Sequence, residues 1–332
     1  MKIFVFEFVT GGGLANRPLP PGLAHEADLM VRSLLGDLGE IPGIECLTSR
    51  DSRLGSIPGV ETLVALPDES PFALYLRGLT LADAAWPTAP ETGGALERLG
   101  RLTLKQDRML IGTHPDAVRL TGSKQATTTH LTAAGIPAVP TFTLEDDPRD
   151  IPGPWVVKPD DGAGAEDTLV AGNARGARAL LAEKGVGYVA QPWIEGKACS
   201  LSLLSADGQA RLLSVNRQRV RVHDGRVVLT GISVNAEARR AHLLAGLASE
   251  IAAAIPLLWG HVGVDLVLTE SGPVVLEINP RLTTSYCGLR HALSHNPATW
   301  VLDLLKNRRL PETPAPRSGV TVELNLETAD VR

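Results

Sequence analysis

One segment constrains the fold of this chain more than any other: residues 264–281 alternate between apolar and polar side chains on both sides of a turn. Glu-Ser-Gly at residues 270–272 is typical of a three-residue hairpin loop. A hairpin centred on the middle residue of that loop pairs Asp265 with Glu277. Side chains two residues apart in a strand share a face, so Asn279 joins these two carboxylates on one side of the hairpin.

The two carboxylates of this polar face repel each other when they lie directly opposite, and a divalent cation removes the repulsion. Asp265, Glu277 and Asn279 offer the oxygen ligands that Mg²⁺ or Mn²⁺ takes together with substrate phosphates. Arg281 follows two residues later, where its guanidinium can meet an anion beside the metal. The alternative is a polar strand face exposed to solvent. The opposite face is predicted to belong to the core and pairs Leu266 with Leu276, between Val264 and Ile278.

A second segment joins a lysine to a glycine-rich turn. Residues 155–159 (WVVKP) are predicted to form a strand, and residues 160–165 (DDGAGA) follow it. An ammonium group at a strand end and the backbone N–H groups of such a turn can bind phosphates. Only 7 of the 32 basic residues are lysines, and two of them, Lys124 and Lys158, stand at such positions. This is not a Walker loop, because no Gly-Lys-Ser/Thr follows the glycines, and the alternative is a surface loop with a solvated lysine.

A third segment, residues 191–196 (QPWIEG), continues a strand predicted over residues 188–194. The backbone groups of an extended hinge can bind the edge of an adenine, while Trp193 or Ile194 packs against the ring. The alternative is an ordinary interdomain linker.

Alternating strands and helical segments indicate a parallel α/β layer in the first third of the chain. We predict strands at residues 2–9, 44–49 and 62–67, helices at residues 24–38 and 95–103, and a loop at residues 86–94. A strand-rich region begins near Glu195. The length favours about two domains, with one boundary near residue 115 and a further division near residue 190, which gives the parts 1–115, 116–190 and 191–332.

Composition excludes several classes of protein. The 332 residues carry 32 basic and 37 acidic side chains and a net charge of −5, so bulk positive charge does not attract nucleic acid. Three widely spaced cysteines make neither a disulfide framework nor a metal knuckle. Apolar runs are too short for a signal peptide or a membrane span. We therefore expect a cytoplasmic protein that binds neither nucleic acid nor a membrane, and a homodimer stays open.

The order of these motifs resembles the ATP-grasp superfamily, over about residues 118–290. The resemblance implies a fold with α/β and α+β parts, in which an N-terminal Rossmann-like pre-ATP-grasp domain precedes two subdomains that clamp ATP. It also implies a carboxylate–amine ligase: a carboxylate is phosphorylated to an acyl phosphate, and an amine then displaces the phosphate. A kinase of the same fold and a non-catalytic nucleotide sensor are the alternatives. An NAD oxidoreductase would rest only on the glycines of residues 11–13, whose spacing is not Gly-x-Gly-x-x-Gly.

The resemblance also implies roles for individual residues. Those that bind ATP would be Lys124, Lys158, Gly162, Gly164, Gln191, Trp193, Ile194 and Glu195. The two lysines would hold the phosphates, and the glycines would cover the β- and γ-phosphates. Asp265, Glu277 and Asn279 would bind Mg²⁺, while Lys158 and Arg281 would be catalytic and Arg281 would stabilise the acyl phosphate. One position departs from the family pattern: the usual acidic ribose ligand, seven residues after Gln191, is Ala198, and Glu195 would have to replace it.

Three shorter segments are similar to the tyramine–L-glutamate ligase group of methanofuran-type cofactor biosynthesis. They are residues 6–13 (FEFVTGGG), 89–92 (APET) and 279–286 (NPRLTTSY). This similarity implies L-glutamate as the carboxylate donor and tyramine, or a tyrosine-like amine, as the acceptor. The substrate-binding residues would be Glu7, Gly12, Glu91, Arg281, Thr283, Thr284 and Ser285. Glu7 and Glu91 would pair with the ammonium group of the acceptor, or would instead be a buried strand-end carboxylate and a helix-start residue.

Overall fold

The computed structural model describes residues 1–65, 68–146, 151–162, 167–316 and 320–326. Within these ranges the N-terminal third forms a five-stranded parallel sheet in the order β3-β2-β1-β4-β5. Its strands are β1 (Lys2–Glu7), β2 (Glu45–Asp51), β3 (Glu61–Ala65), β4 (Ala84–Thr88) and β5 (Met109–Leu110). The helices that follow or connect them are α1 (Pro21–Gly39), α2 (Pro71–Thr80), α3 (Ala95–Lys105), α4 (Pro115–Thr121) and α5 (Lys124–Ala133).

This sheet is covered on both faces, which explains why β1 is apolar almost throughout. Ile3 and Val5 pack against α1, whereas Phe4 and Phe6 point to the other face and pack against α2 and α3. The predicted strands at residues 2–9 and 44–49 and the helices at residues 24–38 and 95–103 are thereby confirmed, with ends shifted by a few residues. The predicted strand at 62–67 is confirmed as far as Ala65, and its last two positions lie outside the described residues.

The rest of the chain builds an antiparallel sheet in the order β13-β12-β9-β10-β11-β7-β6-β8, with β14 also paired to β11. Its strands are β6 (Trp155–Pro159), β7 (Leu169–Ala171), β8 (Tyr188–Pro192), β9 (Lys197–Ala206), β10 (Gln209–His223), β11 (Arg226–Val234), β12 (Gly260–Thr269), β13 (Gly272–Asn279) and β14 (Val322–Asn325). The accompanying helices are α6 (Ala174–Lys184), α7 (Ala241–Ala254), α8 (Tyr286–Leu293) and α9 (Pro297–Asn307). Strands β6 to β8 share a separate small core with α6. The three-part division of the chain stays a prediction.

The hairpin of β12 and β13 has the predicted carboxylate pair but not the predicted regular register. Asp265 pairs with Glu277, whereas Leu266 pairs with Val275 instead of Leu276, because the register shifts between Asp265 and Leu266. Such a bulge sets two residues of one strand against one of the other. Val275 is fully buried in the core, but Leu276 lines a cleft together with Glu277. The prediction that Leu276 belongs to the core face was therefore wrong.

Two loop predictions also need correction. The hairpin turn has two residues, 270 and 271, because Thr269 already pairs with Gly272. The predicted loop at residues 86–94 begins instead as the second half of β4. The sequence did not indicate this strand because it contains Pro87, and proline cannot donate a ladder hydrogen bond. It is accommodated because β5 pairs only with the first two residues of β4, so Pro87 lies beyond that pairing.

The parallel sheet and the antiparallel sheet meet at a group of side chains that we call the seam: Asp37, Trp86, His261, Tyr286 and Arg290. All are buried except Arg290, which is partly exposed. The His261 ring stacks on Trp86 with 6.2 Å between ring centroids and meets Tyr286 edge-on at 5.0 Å. The Tyr286 hydroxyl donates to Asp37 Oδ2 at 2.8 Å, and Arg290 Nη1 donates to Asp37 Oδ1 at 3.0 Å. Each charged group of the seam therefore has a partner of opposite charge or a hydrogen bond.

Candidate active site

A cleft of about 320 Å³ opens between strands β6 and β8 on one side and the face of strands β9 to β13 on the other. It collects side chains from distant parts of the sequence. Predicted site residues that line it are Lys124, Lys158, Gly162, Gln191, Trp193, Ile194, Glu195, Asp265, Glu277, Asn279, Arg281, Thr283, Thr284 and Ser285. Three predicted substrate residues, Glu7, Gly12 and Glu91, are not among its lining residues, and Gly164 lies outside the described residues.

The middle of the cleft holds four ionisable side chains, which we call the charged cluster: Lys124, Lys158, Asp265 and Glu277. Lys124 is buried and the other three are largely buried. Glu277 Oε2 lies 3.4 Å from Lys124 Nζ and 3.8 Å from Lys158 Nζ. Lys124 Nζ also donates to the carbonyl of Gly162 at 2.6 Å. Three of the four stand near the end of an element: Lys124 begins α5, and Lys158 and Glu277 stand near the last residues of β6 and β13. Asp265 lies in the middle of β12.

The pKa values of this cluster follow from burial and from like charges held close together. Burial, and then the neighbouring charge of Glu277, raise the pKa of Asp265 well above its usual range. Burial also raises the pKa of Glu277, but the two ammonium groups outweigh it and hold that pKa below its usual value. Burial, opposed by Glu277 and reinforced by Lys124, lowers the pKa of Lys158 to about 8. Clusters of this kind are typical of functional sites.

The residues predicted to bind Mg²⁺ fit a hard cation that shares its coordination sphere with phosphates. Asp265 and Glu277 face each other across the hairpin, and Asn279 lies close enough for its amide to donate to Asp265 Oδ2 at 3.2 Å. Their opposed carboxylates carry more negative charge than the buried site tolerates, as the raised pKa of Asp265 indicates. Across the described ranges, no group of three or more His, Cys, Asp and Glu side chains offers a self-sufficient metal site, so phosphate oxygens would have to complete the coordination.

Arg281 lies where the charged cluster meets the N-terminal part of the chain. Its Nε and Nη2 donate to the two carboxylate oxygens of Glu91 at 2.9 and 3.1 Å, and its Nη1 donates to the carbonyl of Leu282 at 3.3 Å. The Arg281–Glu91 pair is bidentate, which fixes the orientation of the guanidinium plane. Glu91 thus contacts the arginine instead of the cleft itself. Two residues after Glu91, Gly93 donates its N–H to Asp161 Oδ2 at 2.8 Å.

The polar loop that follows Arg281, residues 283–285, is fixed in place by a chain of hydrogen bonds to buried side chains. Ser285 Oγ lies 3.0 Å from both Thr283 Oγ1 and Ser202 Oγ, and the fully buried Asn216 donates to Ser202 at 3.1 Å. A buried polar network with its members satisfied in this way is rigid. It presents the hydroxyl groups of the loop at a fixed place on the cleft wall.

The other end of the cleft is apolar. Its walls are Val156, Val220, Val227, Leu229, Val267 and Leu276. The hinge residues predicted to bind adenine stand beside them, although the backbone N–H of Trp193 is already engaged with the carbonyl of Pro154 at 2.8 Å. A flat apolar slot next to extended backbone suits the ring of a nucleobase.

Glu7 and Gly12 have local structural roles. Both oxygens of the buried Glu7 carboxylate accept hydrogen bonds, from the N–H groups of Val9 and Thr10 and from the Thr10 hydroxyl. They cap a single π-helical turn, Val9–Gly13, which ends β1 two residues before its predicted end. Gly12 has a φ of 104°, and a Cβ there would meet that of Ala65 at 2.4 Å. These observations match the strand-end alternative for Glu7.

Gln218, Leu276 and Glu26 are among the cleft residues that sequence reasoning missed. Gln218 donates its amide to Asp265 Oδ1 at 2.9 Å, and Leu276 enters the cleft through the bulge. Glu26, from the second turn of α1, lines the cleft and accepts a hydrogen bond from the hydroxyl of Thr284. No local motif surrounds Gln218 or Glu26, so only the fold brings them to the site, whereas Leu276 stands inside the hairpin motif and was assigned to its core face.

The sequence matches the ATP-grasp domain family over residues 121–285 and the pre ATP-grasp 3 domain family over residues 44–118. This chain is a member of the ATP-grasp family. Its expected fold, an ATP-grasp fold preceded by a Rossmann-like parallel sheet, is confirmed. Within the described ranges, none of its helices has both the length and the apolar character needed to cross a membrane.

The curated relatives of this ATP-grasp protein are named as ligases. The tyramine–L-glutamate ligase of Methanocaldococcus fervens is 26% identical over 293 residues, which is 87% of this chain and 89% of the relative. The tyramine–L-glutamate ligase of Methanocaldococcus jannaschii is 25% identical over 87% of this chain and 84% of its own length.

Solved structures share the fold at lower identity. An ATP-grasp superfamily protein from Archaeoglobus fulgidus superposes with a TM-score of 0.69 at 22% identity, over 98% of this chain and 100% of its own. The L-amino acid ligase of Bacillus licheniformis gives a TM-score of 0.64 at 18% identity, over 91% of this chain and 73% of its own. The biotin carboxylase domain of Hydrogenobacter thermophilus 2-oxoglutarate carboxylase, solved with magnesium and ADP, gives 0.70 at 16%, over 94% and 71%.

Proposed function

We propose that this chain is an ATP-dependent carboxylate–amine ligase that forms an amide through an acyl phosphate. The observation that supports the proposal best is the convergence, in one cleft, of two lysines, two opposed carboxylates and one arginine. The lysines, Lys124 and Lys158, lie within 4 Å of Glu277, and Arg281 borders the same cleft. A ligand that carries several phosphates together with a metal ion would engage these groups at once.

In this proposal the two lysines neutralise the phosphates of ATP, and Gly162 and Gly164 cover the β- and γ-phosphates. Asp265, Glu277 and Asn279 hold Mg²⁺, which when bound supplies positive charge to the phosphate oxygens. Gln191, Trp193, Ile194 and Glu195 hold the adenosine at the apolar end. These assignments agree with an apolar slot at one end of the cleft and a charged cluster in its middle.

The reaction needs no nucleophile from the protein. A carboxylate oxygen of the acid attacks the γ-phosphorus of ATP, the bond to the β-phosphate oxygen breaks, and ADP leaves. The amine nitrogen then attacks the acyl carbon, loses a proton, and expels inorganic phosphate. In this proposal Arg281 lies beside the negative charge of the acyl phosphate and of the tetrahedral intermediate that the amine forms. Catalysis then depends on positioning of the substrates and on electrostatic stabilisation by Lys158 and Arg281.

We further propose L-glutamate as the acid and tyramine, or a tyrosine-like amine, as the acceptor. The support is the pair of tyramine–L-glutamate ligases that match 87% of this chain. The cleft offers a guanidinium at Arg281 for the acid, and the hydroxyl groups of Thr283, Thr284 and Ser285 line the same cleft. A homodimer stays a prediction.

The test is a matrix of amino acids and amines, incubated with the full chain, ATP and Mg²⁺, with products identified by mass spectrometry and ADP measured in parallel. We expect γ-glutamyl-tyramine or γ-glutamyl-tyrosine, with ADP formed only when acid and amine are both present. Another conjugate would contradict the substrate assignment and keep the ligase. A phosphorylated compound without any amide would indicate a kinase, and ATP binding without turnover would indicate a nucleotide sensor.

A further inference from the structure

The acidic side chains that line the cleft are not equivalent. Four carboxylates lie along it in the described part of the chain: Glu26, Glu195, Asp265 and Glu277. Asp265 and Glu277 belong to the charged cluster with the lysines, and Glu195 stands in the hinge at the apolar end. Glu26 alone of these four comes from the N-terminal part of the chain, next to the polar loop that follows Arg281.

The surroundings of Glu26 leave capacity for a cation. One carboxylate oxygen accepts a hydrogen bond from the hydroxyl of Thr284. No lysine or arginine among the described residues forms an ion pair with Glu26, although the neighbouring Asp28 pairs with both Arg32 and Arg50. Arg281 is near enough to interact with Glu26 electrostatically, but its guanidinium is paired with Glu91. A half-buried carboxylate that has no ion-pair partner of its own and faces a cleft is a binding group for a positively charged ligand.

The two glutamates predicted from sequence to bind the ammonium group lack this capacity. Glu7 already accepts three hydrogen bonds from Val9 and Thr10, and Glu91 spends both oxygens on Arg281. Neither is a lining residue of the cleft. The role of an acidic group near the arginine therefore passes to Glu26.

The hydroxyl groups beside Glu26 complete a suitable set of acceptors. Thr283, Thr284 and Ser285 all line the cleft, and a hydroxyl oxygen has lone pairs for an N–H donor even when its own proton is donated elsewhere. A primary ammonium group has three N–H donors, which one carboxylate and neighbouring hydroxyl oxygens can satisfy together.

We propose that Glu26, with the hydroxyl groups of Thr283 and Thr284, forms the subsite that binds the primary ammonium group of a substrate. The inference rests on the proposed ligase function and adds the residue that recognises the cationic end of a substrate. Arg281 then attracts the carboxylate that is to be activated, and Glu26 attracts an ammonium group. Two sources share this chemistry: the acceptor amine, and the α-ammonium group of an amino-acid donor.

The experiment measures binding and not turnover. Calorimetry on the full chain with Mg²⁺ and ADP present compares tyramine, L-glutamate and glutarate, which is a dicarboxylic acid without an ammonium group. The variant is Glu26→Gln, whose amide oxygen still accepts the hydrogen bond from Thr284, and Glu26→Asp retains the charge. Glu250→Gln, on the exposed side of α7, is the matched control.

We expect Glu26→Gln to weaken one ammonium-bearing probe by at least about tenfold, because a hydrogen-bonded charge is lost. Glutarate affinity and melting temperature should stay at wild-type values, and Glu26→Asp should restore part of the affinity. Weaker tyramine binding identifies the acceptor as the source, and weaker L-glutamate binding identifies the donor. Equal affinities of wild type and Glu26→Gln for both probes, or a loss of glutarate binding as large as that of L-glutamate, would overturn the proposal.

Failure of the proposed function would look different. If the wild-type chain forms no amide while probe binding still depends on Glu26, the ligase proposal fails and the ammonium subsite stands. If amide formation proceeds equally well in Glu26→Gln, with unchanged probe affinity, the ligase stands and the subsite fails.

Discussion

The charged cluster lines the cleft and the seam joins the two sheets; both hold ionisable side chains largely away from solvent, but in opposite electrostatic settings. In the seam, Asp37 is matched by the hydroxyl of Tyr286 and the guanidinium of Arg290. In the cluster, Asp265 faces another carboxylate across the hairpin. Burial raises the pKa of both aspartates, but the hydrogen bonds from Tyr286 and Arg290 oppose the rise at Asp37, whereas the facing Glu277 adds to it at Asp265. A buried charge that has an opposite charge or a hydrogen bond as its partner is compatible with a stable fold. Two like charges that face each other in a cleft are typical of a site that binds a ligand.

The strongest test of this contrast is Glu277→Gln. We expect kcat/KM to fall roughly a thousandfold, because a group that organises the transition-state charge is lost. The unfolding free energy of the ligand-free protein should change by less than about 1 kcal/mol, since Asp265 can ionise in place of Glu277 once its neighbour is neutral. Steady-state kinetics and denaturant unfolding measure the two quantities.

Two further observations make that test decisive. The thermal stabilisation by Mg²⁺ and ATP should disappear in Glu277→Gln, because ligand binding to the native state is what raises the melting temperature. Glu250→Gln should retain it. A Glu277→Gln protein with wild-type turnover and an intact Mg²⁺-dependent shift would show that the metal ligands lie elsewhere.

Lys158→Ala tests the cation side of the cluster. We expect the affinity for a non-hydrolysable ATP analogue to fall roughly a hundredfold, as one or two charge-assisted hydrogen bonds disappear. Lys306→Ala, at an exposed position of α9, is the control. Lys184 is a poor control, because it pairs with Asp167 at 2.7 Å. Equal titration curves for the Lys158 and Lys306 variants would remove Lys158 from the phosphate site.

The seam is expected to respond to pH through His261. Burial, only partly offset by a hydrogen bond to the carbonyl of Pro297, lowers the pKa of His261 to about 4. The unfolded chain therefore binds this proton first, so the stabilisation is complete above about pH 6.5 and is lost as the pH falls towards 4. Between pH 7 and pH 5 the loss should be about 2 kcal/mol.

Urea unfolding of the wild type and of His261→Phe at both pH values isolates this contribution. The difference in unfolding free energy between the two proteins should shrink on acidification, because only the wild type titrates there. The same difference at pH 7 and at pH 5 would mean that His261 is charged or solvated in the native state.

The smallest effect is expected at Asp37, where one charge of a matched set is removed. Asp37→Asn should lower the unfolding free energy by about 1–2 kcal/mol, since the buried carboxylate loses its ion pair with Arg290 but its replacement still accepts from Tyr286. Turnover per folded molecule should stay unchanged. Glu40→Gln is the control, because Glu40 pairs with the same arginine from an exposed position. A larger loss of unfolding free energy in Glu40→Gln than in Asp37→Asn would contradict the view that the buried partner of Arg290 contributes more to stability than the exposed one.

Local sequence patterns were sufficient for the elements that carry the cleft. The strand at residues 155–159 has the predicted bounds, and Asp265 stands opposite Glu277 as predicted. The pairing follows from alternation over a short distance, and the strand from a short apolar run that ends before a glycine-rich turn. The bulge at Leu276 could not be predicted, because one extra residue leaves the apolar and polar counts of the strand almost unchanged.

Residues brought in from far along the chain were beyond such patterns. Glu26 reaches Thr284 across 258 positions, and Glu91 reaches Arg281 across 190. Contacts over such separations leave no periodic pattern in the sequence. For this reason the sequence predicted neither the pairing of Glu91 with Arg281 nor the place of Glu26 in the cleft. The motif order indicated the family, and the packing of α1 against the second half decided which acid faces the cleft.

The bulge in β13 also determines the distance between an apolar side chain and a carboxylate of the cleft, those of Leu276 and Glu277. In a regular strand, consecutive side chains point to opposite faces, so two ligand-facing residues are separated by a third. Here Leu276 and Glu277 are consecutive and both line the cleft. The apolar surface offered to a ring and the carboxylate offered to a cation are thus joined by a single peptide unit, about 3.8 Å from Cα to Cα. Bending or twisting of the sheet cannot alter that interval, because it is covalent.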